Sequence, residues 1–149
     1  MSTRANVIVL EKNGDWENKN LFYRQMDGDV AYTGKDLLVL AYMAKNYSYP
    51  DLITDDAGNA IQRENFKRIR NRFLGYLNDS ESYESEDFDA GVNGDIEYLY
   101  LVSIQRAEDD SVKITVTYLE TPIDSDLDKD EYVQRILNGE GKEIGLMIY

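Results

Sequence analysis

Arg4, Arg24, Gln25, Asp27, Tyr32, Thr33 and Gly34 are the residues of this 149-residue chain whose types and spacing could first do chemistry together. In "YRQMDGDVAYTGKDLL" (23–38) a strand-like run ends at Asp-Gly, crosses a short polar loop and meets Thr-Gly at the start of an apolar helical pattern. A helix N-terminus leaves backbone N–H groups free and carries partial positive charge. Glycine lets a ligand approach those amides closely. With charge from Arg4 and Arg24 and a stacking face from Tyr32, the corner reads as a nucleotide or phosphate site. Ordinary capping, with an Asp27–Arg4 surface pair worth little, explains the same residues.

A second constellation is acidic. Residues 1–78 carry 11 basic and 10 acidic side chains, whereas residues 79–149 carry 5 basic and 19 acidic, so the net charge of −13 arises in the second half. Such a surface repels nucleic acid and anionic membranes and attracts basic grooves; solubility is the plainer account of it. The acid concentrates in 78–95, around Glu81, Glu84, Glu86 and Asp87 with Tyr83 and Phe88 among them, and again at Asp124, Asp126 and Asp128. The twelve tyrosines, including the group Tyr42, Tyr47 and Tyr49, suit an interface, where Tyr offers stiff, amphipathic area. Carboxylates in place of phosphates, beside hydroxyl-tipped rings, are what a surface imitating nucleic acid would display.

Several chemistries are excluded. The chain has no cysteine and no histidine, so disulfides, thiolate or imidazole metal ligands, and Ser-His-Asp or Cys-His catalysis all fall away. Acid–base work would be left to Asp, Glu, Lys, Tyr or a carboxylate-held metal water. "DSDLDKDE" (124–131) starts like a calcium loop, but Lys129 stands where the glycine belongs and Arg135 where the closing glutamate belongs, so an EF-hand is refused. Ser2, terminal if Met1 is removed, is a very weak sign of an N-terminal nucleophile. The basic run Arg63, Lys67, Arg68, Arg70 and Arg72 could grip nucleic acid; neutralisation by Glu81, Glu84, Glu86 or Asp87 is simpler. The expectation is a non-enzyme without cofactor or metal. No apolar run is long enough to span a bilayer, and the N-terminus lacks the apolar region of a signal peptide, so a cytoplasmic protein is expected.

The elements that must position these groups can be read from periodicity. Residues 5–12, apolar on both faces, predict a strand interior to a sheet, and 21–26 its hairpin partner, which places Arg4 opposite Gln25–Asp27. A first helix starts at Thr33 or Gly34, with Thr33 as cap and Leu37, Leu40, Ala41 and Ala44 on its apolar stripe. Residues 47–59 predict a loop, about 60–77 a second helix, and 78–95 a mobile loop. Residues 96–105 and 112–120 alternate most clearly and predict a hairpin with Tyr98, Tyr100, Val102, Ile114 and Val116 on its buried face; Ile96 and Ile104 fall on that same alternation. A third helix follows Asp128, with Glu131 in the capping pair and Gly139 as its stop. Residues 144–149 could add a last strand. The order ββααββαβ predicts one α+β domain, an antiparallel sheet of two hairpins plus a C-terminal strand, with about three helices packed on one face.

The opening "STR" (2–4), the segment "YRQMDG" (23–28) and Gly34 together resemble the start of a family of small uncharacterised phage and bacterial proteins. Their pattern is Ser-Thr-Arg, a short strand, then Tyr-Arg-x-x-Asp-Gly ahead of a glycine and a helix. It covers about the first 35 residues. A histidine often follows the arginine in that pattern; Gln25 stands there in this chain, which weakens any catalytic or metal role carried over. The resemblance implies a phage or mobile-element setting and no assured activity. Two functions follow as expectations. One is an anti-defence inhibitor that binds a host nucleic-acid-processing protein through Glu81, Tyr83, Glu84, Glu86, Asp87, Phe88, Asp124, Asp126 and Asp128. The other is a nucleotide- or phosphate-binding sponge using Arg4, Arg24, Gln25, Asp27, Tyr32, Thr33 and Gly34. A carboxylate-metal enzyme acting on phosphate esters comes third, with no convincing ligand set.

Overall fold

The computed structural model describes residues 3–122 and 129–145. The chain opens with a hairpin of β1 (Ala5–Asn13) and β2 (Trp16–Arg24), longer at its tip than the sequence suggests because Trp16 to Asn20 already pair. Gly14, at φ +61°, sits first in the two-residue turn, where the twist of a hairpin demands a left-handed residue. The register pairs Ala5 with Arg24, so Arg4 faces the end of β2 as expected. A π-helical turn, Val30–Gly34, runs into α1 (Lys35–Asn46). Next come β3 (Asp51–Thr54), β4 (Ala60–Arg63), α2 (Phe66–Asp79), β5 (Glu84–Glu86), a 3-10 turn (Phe88–Ala90), β6 (Tyr98–Arg106), β7 (Val112–Glu120), α3 (Asp130–Leu137) and β8 (Lys142–Glu143).

The architecture is α+β, but two parts of the expected arrangement need correction. The six-stranded sheet, in order β5-β2-β1-β6-β7-β8, is mixed: β1 and β6 run parallel from Ala5–Tyr98 to Lys12–Gln105. The helices also lie on both faces. Residues of α1 and α2, among them Leu37, Ala41, Ile69 and Phe73, pack with Val7, Val9, Phe22, Tyr100, Val102 and Val116. On the other face Val133 and Ile136 of α3 pack with Ile8, Leu21, Leu99 and Leu101. Both corrections have one cause. The run "YLYLVSI" (98–104) is apolar on both faces, so β6 needs a cover on each side and belongs at the sheet centre beside the equally apolar β1. The long excursion from β2 through α2 and β5 supplies the crossover that a parallel pair requires.

The β6–β7 hairpin has the predicted pairing, with Val102 opposite Val116 and Ile104 opposite Ile114. Tyr100, Val102 and Val116 are buried in the larger core, with Tyr98, Ile114 and Tyr118 partly buried against it. Ile96 breaks the alternation: it is buried with Leu99 and Leu101 on the opposite face. The strand begins only at Tyr98, and the chain before it is held by Glu97 N donating to Arg4 O (2.9 Å) and Thr121 N to Glu97 O (2.8 Å), so the two-residue period does not extend back to Ile96.

The second helix is shorter than 60–77, because 60–63 instead pair with 51–54 in a separate two-stranded sheet. Asn65 then caps α2 by accepting from Arg68 N (2.9 Å). The stop of α3 is as expected, with Gly139 at φ +90° just beyond Leu137. Its predicted cap, Asp128, lies outside the described residues. The last strand, β8, lies before the expected 144–149, at Lys142–Glu143 opposite Thr117 and Tyr118; Ile144 N adds a bond to Val116 O without extending the strand, and 146–149 lie outside the described residues. Among the described residues, no helix is long and apolar enough to cross a membrane.

Candidate functional site

The two predicted clusters meet at one end of the sheet, where β1 begins and β2 ends. Strand residues alternate faces, and this separates the two arginines meant to converge. Arg24 lies opposite Ala5 and extends to the α1 side. Its Nη1 donates to Tyr83 Oη at 2.8 Å and lies 3.3 Å from Asp36 Oδ2, and its Nε donates to Met26 O at 2.9 Å. Arg4, one position before Ala5, belongs to the other face; its Nε lies 3.3 Å from Asp95 Oδ2, to which Tyr23 Oη also donates at 3.0 Å. Arg4 therefore pairs with Asp95, not Asp27. The two guanidiniums form no common anion cradle.

The start of the first helix differs as well. Thr33 makes no side-chain cap bond; its Oγ1 donates to Asp27 O at 2.7 Å, while its N–H is spent on Asp29 O. Thr33 and Gly34 are buried, and a Cβ on Gly34 would lie 2.9 Å from Ile144 Cδ1 and 3.1 Å from Val30 Cγ1, so this glycine serves packing. Gly28 serves a close backbone crossing: its N–H donates to Thr3 O, its O accepts from Tyr100 Oη at 2.7 Å, and a Cβ would meet the Arg4 carbonyl carbon and Thr3 O at 2.9 Å. Asp27 precedes it with φ 57°, a conformation that Asp tolerates better than most residues. Gln25, Asp27 and Tyr32 remain exposed.

The acidic segment is fastened, not a free loop. Strand β5 adds to the edge of the sheet, with Glu84 opposite Tyr23 and Glu86 opposite Leu21. Tyr83 was expected as an exposed anchor among the charges; it is 4% exposed and belongs to the larger core. Its hydroxyl donates to Asp36 Oδ2 at 2.6 Å, and the Arg24 guanidinium lies 5.0 Å from its ring centre. Burial first, then the Asp36 bond and charge, push this phenol well above the ordinary tyrosine range, against the opposing pull of Arg24. Burial and the Asp95 bond likewise raise Tyr23 to about 12. Phe88 is half-buried, packed against the α3-side core.

What stays open is a continuous acidic edge. Asp27, Glu81 and Glu84 line a cleft of about 280 Å³ beside Arg24 and Gln25. Glu86, Asp87 and Asp89 line a second, of about 390 Å³, along the same edge with Glu17. Among the described residues, Glu81, Glu84, Glu86, Asp87 and Asp89 form no ion pair, whereas several acids elsewhere do: Glu11 with Arg70, Asp36 with Arg24, Asp51 with Arg68 and Asp110 with Arg63. The arginines of α2 therefore do not neutralise the acidic segment. Asp124, Asp126 and Asp128 lie outside the described residues.

Sequence reasoning missed one polar cluster altogether. Glu11 is 1% exposed and accepts from Asn18 Nδ2 (2.7 Å) and Asn20 Nδ2 (2.9 Å), with Arg70 Nε 3.3 Å away and the Arg70 guanidinium 5.0 Å from the Trp16 ring. Its place on the core-facing period of β1, after Val7 and Val9, was the available signal. Both asparagine bonds fall on Glu11 Oε2, while Oε1 has the Arg70 ion pair and no hydrogen bond; the cluster clamps α2 to the hairpin tip. The chain matches no known protein-family profile, no curated protein and no solved structure.

Proposed function

We propose that the protein is a non-enzymatic binder whose acidic edge around β5 occupies a basic, nucleic-acid-binding surface on another protein. The observation that carries this reading is the set of five acidic residues at 81–89, on and beside the edge strand β5, with no ion pair among the described residues. Most of the arginines are engaged elsewhere, so the negative field of this edge is left for a partner. Alternate residues of a strand stand about 6.6 Å apart, so Glu84 and Glu86 present carboxylates at regular intervals on a backbone held by β2. In the phage or mobile-element setting that the opening segment's resemblance implies, the partner is a host defence or nucleic-acid-processing protein and the outcome is inhibition.

Charges on an exposed sheet edge also discourage edge-to-edge aggregation, and this function would need no partner. The experiment separates the two. Capture from a bacterial host lysate is compared between the native chain and a Glu81→Lys, Glu84→Lys, Asp87→Lys variant, with duplex DNA and salt as competitors. The reading expects a partner that the native chain retains, that DNA displaces, that rising salt releases and that the variant fails to hold. Equal capture by both chains, or a partner indifferent to DNA, sinks it.

A further inference from the structure

Arg72 is the only arginine among the described residues without an ion pair, in a chain where acids outnumber bases 29 to 16. Its Nε donates to Ser48 Oγ at 3.2 Å, which leaves the two terminal nitrogens uncommitted. Arg72 stands in a groove of about 480 Å³ along α2, one wall of which is Tyr49. Three residues further on, the groove floor is Gly75.

A glycine inside a helix lowers helix stability and is normally kept for packing or for a close approach. Packing does not explain Gly75, because a Cβ there would meet nothing within 4 Å. What the missing side chain provides is a bare, flat stretch of helix at the middle of the groove. The Tyr49 wall is exposed yet held in place: the Arg68 guanidinium lies 4.4 Å from its ring centre and is itself tied to Asp51 at 2.6 Å.

We propose that this groove binds a nucleoside phosphate, with the phosphate at Arg72 and Ser48 and the base lying over Gly75 against the tyrosine wall. A guanidinium fork suits phosphate oxygens, and a flat aromatic and glycine surface suits a planar ring. Asp79 closes the C-terminal end of the groove and repels phosphate, which fixes the ligand's direction. Asn71 uses its Oδ1 on Arg70 and keeps its amide donors for the base edge. The groove is shallow and open to solvent, so a bound nucleotide keeps one side in water. The site is independent of the acidic edge. The same chemistry is presented by a free nucleotide and by one unit of a single strand.

The probes are AMP, GMP, UMP, a short single-stranded oligonucleotide and inorganic phosphate, each titrated into the native chain while backbone amide shifts are followed. At least one nucleotide is expected to move the amides of Asn71, Arg72 and Gly75. Arg72→Gln should weaken it roughly tenfold without lowering the melting temperature. Gly75→Ala should raise the melting temperature and weaken binding several-fold, a combination that a merely structural glycine does not produce. Tighter binding of the oligonucleotide identifies a strand as the source, and equal or weaker binding identifies the free nucleotide. The proposal is overturned if no nucleotide moves these amides at millimolar concentration, if inorganic phosphate binds as well as the nucleotides, or if Gly75→Ala binds unchanged.

Discussion

Replacing Tyr83 by Phe removes one oxygen from the junction of the acidic segment with the core and leaves the ring. The native hydroxyl donates to Asp36 at 2.6 Å and accepts from Arg24 at 2.8 Å. Hydrogen bonds to charged groups contribute about 1.5–3 kcal/mol each. Asp36 is 41% exposed, so water replaces most of the loss there; Arg24 is only 13% exposed and has less recourse, although its contact with Asp36 at 3.3 Å survives. The expected cost is therefore about 2–3 kcal/mol, below the sum of two full bonds. At about 2–4 °C per kcal/mol for a chain of this size, the melting temperature falls by roughly 4–12 °C. Urea unfolding at neutral pH, followed by circular dichroism, measures it, and a cycle with Asp36→Asn isolates the coupling. A loss under about 0.5 kcal/mol, the range of surface substitutions, would refute the buried placement of this hydroxyl.

Val116→Ala, in the heart of the larger core, should cost about 1–3 kcal/mol in the same assay. Gly28→Ala should cost about 1–3 kcal/mol, because the new Cβ meets backbone atoms of Thr3 and Arg4 at 2.9 Å, whereas Gly75→Ala, with open space around it, should add about 1 kcal/mol of stability. Glu11→Ala leaves Arg70 without its partner and should cost about 3 kcal/mol, a loss that the double replacement of Glu11 and Arg70 by Met partly restores. Alkaline unfolding should also begin above pH 10. Tyr23, Tyr83 and Tyr100 keep their protons in the folded state beyond the ordinary value of 10.0, chiefly through burial. Above pH 10 the unfolded chain binds fewer protons than the folded one, so stability falls as pH rises. Ultraviolet titration should show these rings ionising late, and coincident ionisation of all twelve would contradict the arrangement.

Local pattern was enough for the elements whose signals are local. The alternation of Val112 to Tyr118 determined β7, because a two-residue period can bury one face only in an extended strand, and the β-branched and aromatic run Tyr98 to Ile104, joined to it by a short turn, determined β6 and their pairing. Asn-Gly at 13–14, flanked by apolar runs, determined the first hairpin, and Gly139 the end of α3. The tertiary structure alone decided everything that depends on which element lies beside which. The parallel pairing of β1 with β6 joins residues some ninety positions apart, and no local signal carries that choice. It also decided the fate of the charged residues. Arg4 and Arg24 look like a pair in sequence but leave the hairpin on opposite faces, and Tyr83, surrounded by acids in the chain, is drawn inside because Arg24 and Asp36 meet its hydroxyl there. Burial and ion pairing are properties of the packed whole. A charge census of the sequence could show that acid was in excess, and only the fold could show which carboxylates were left without a partner.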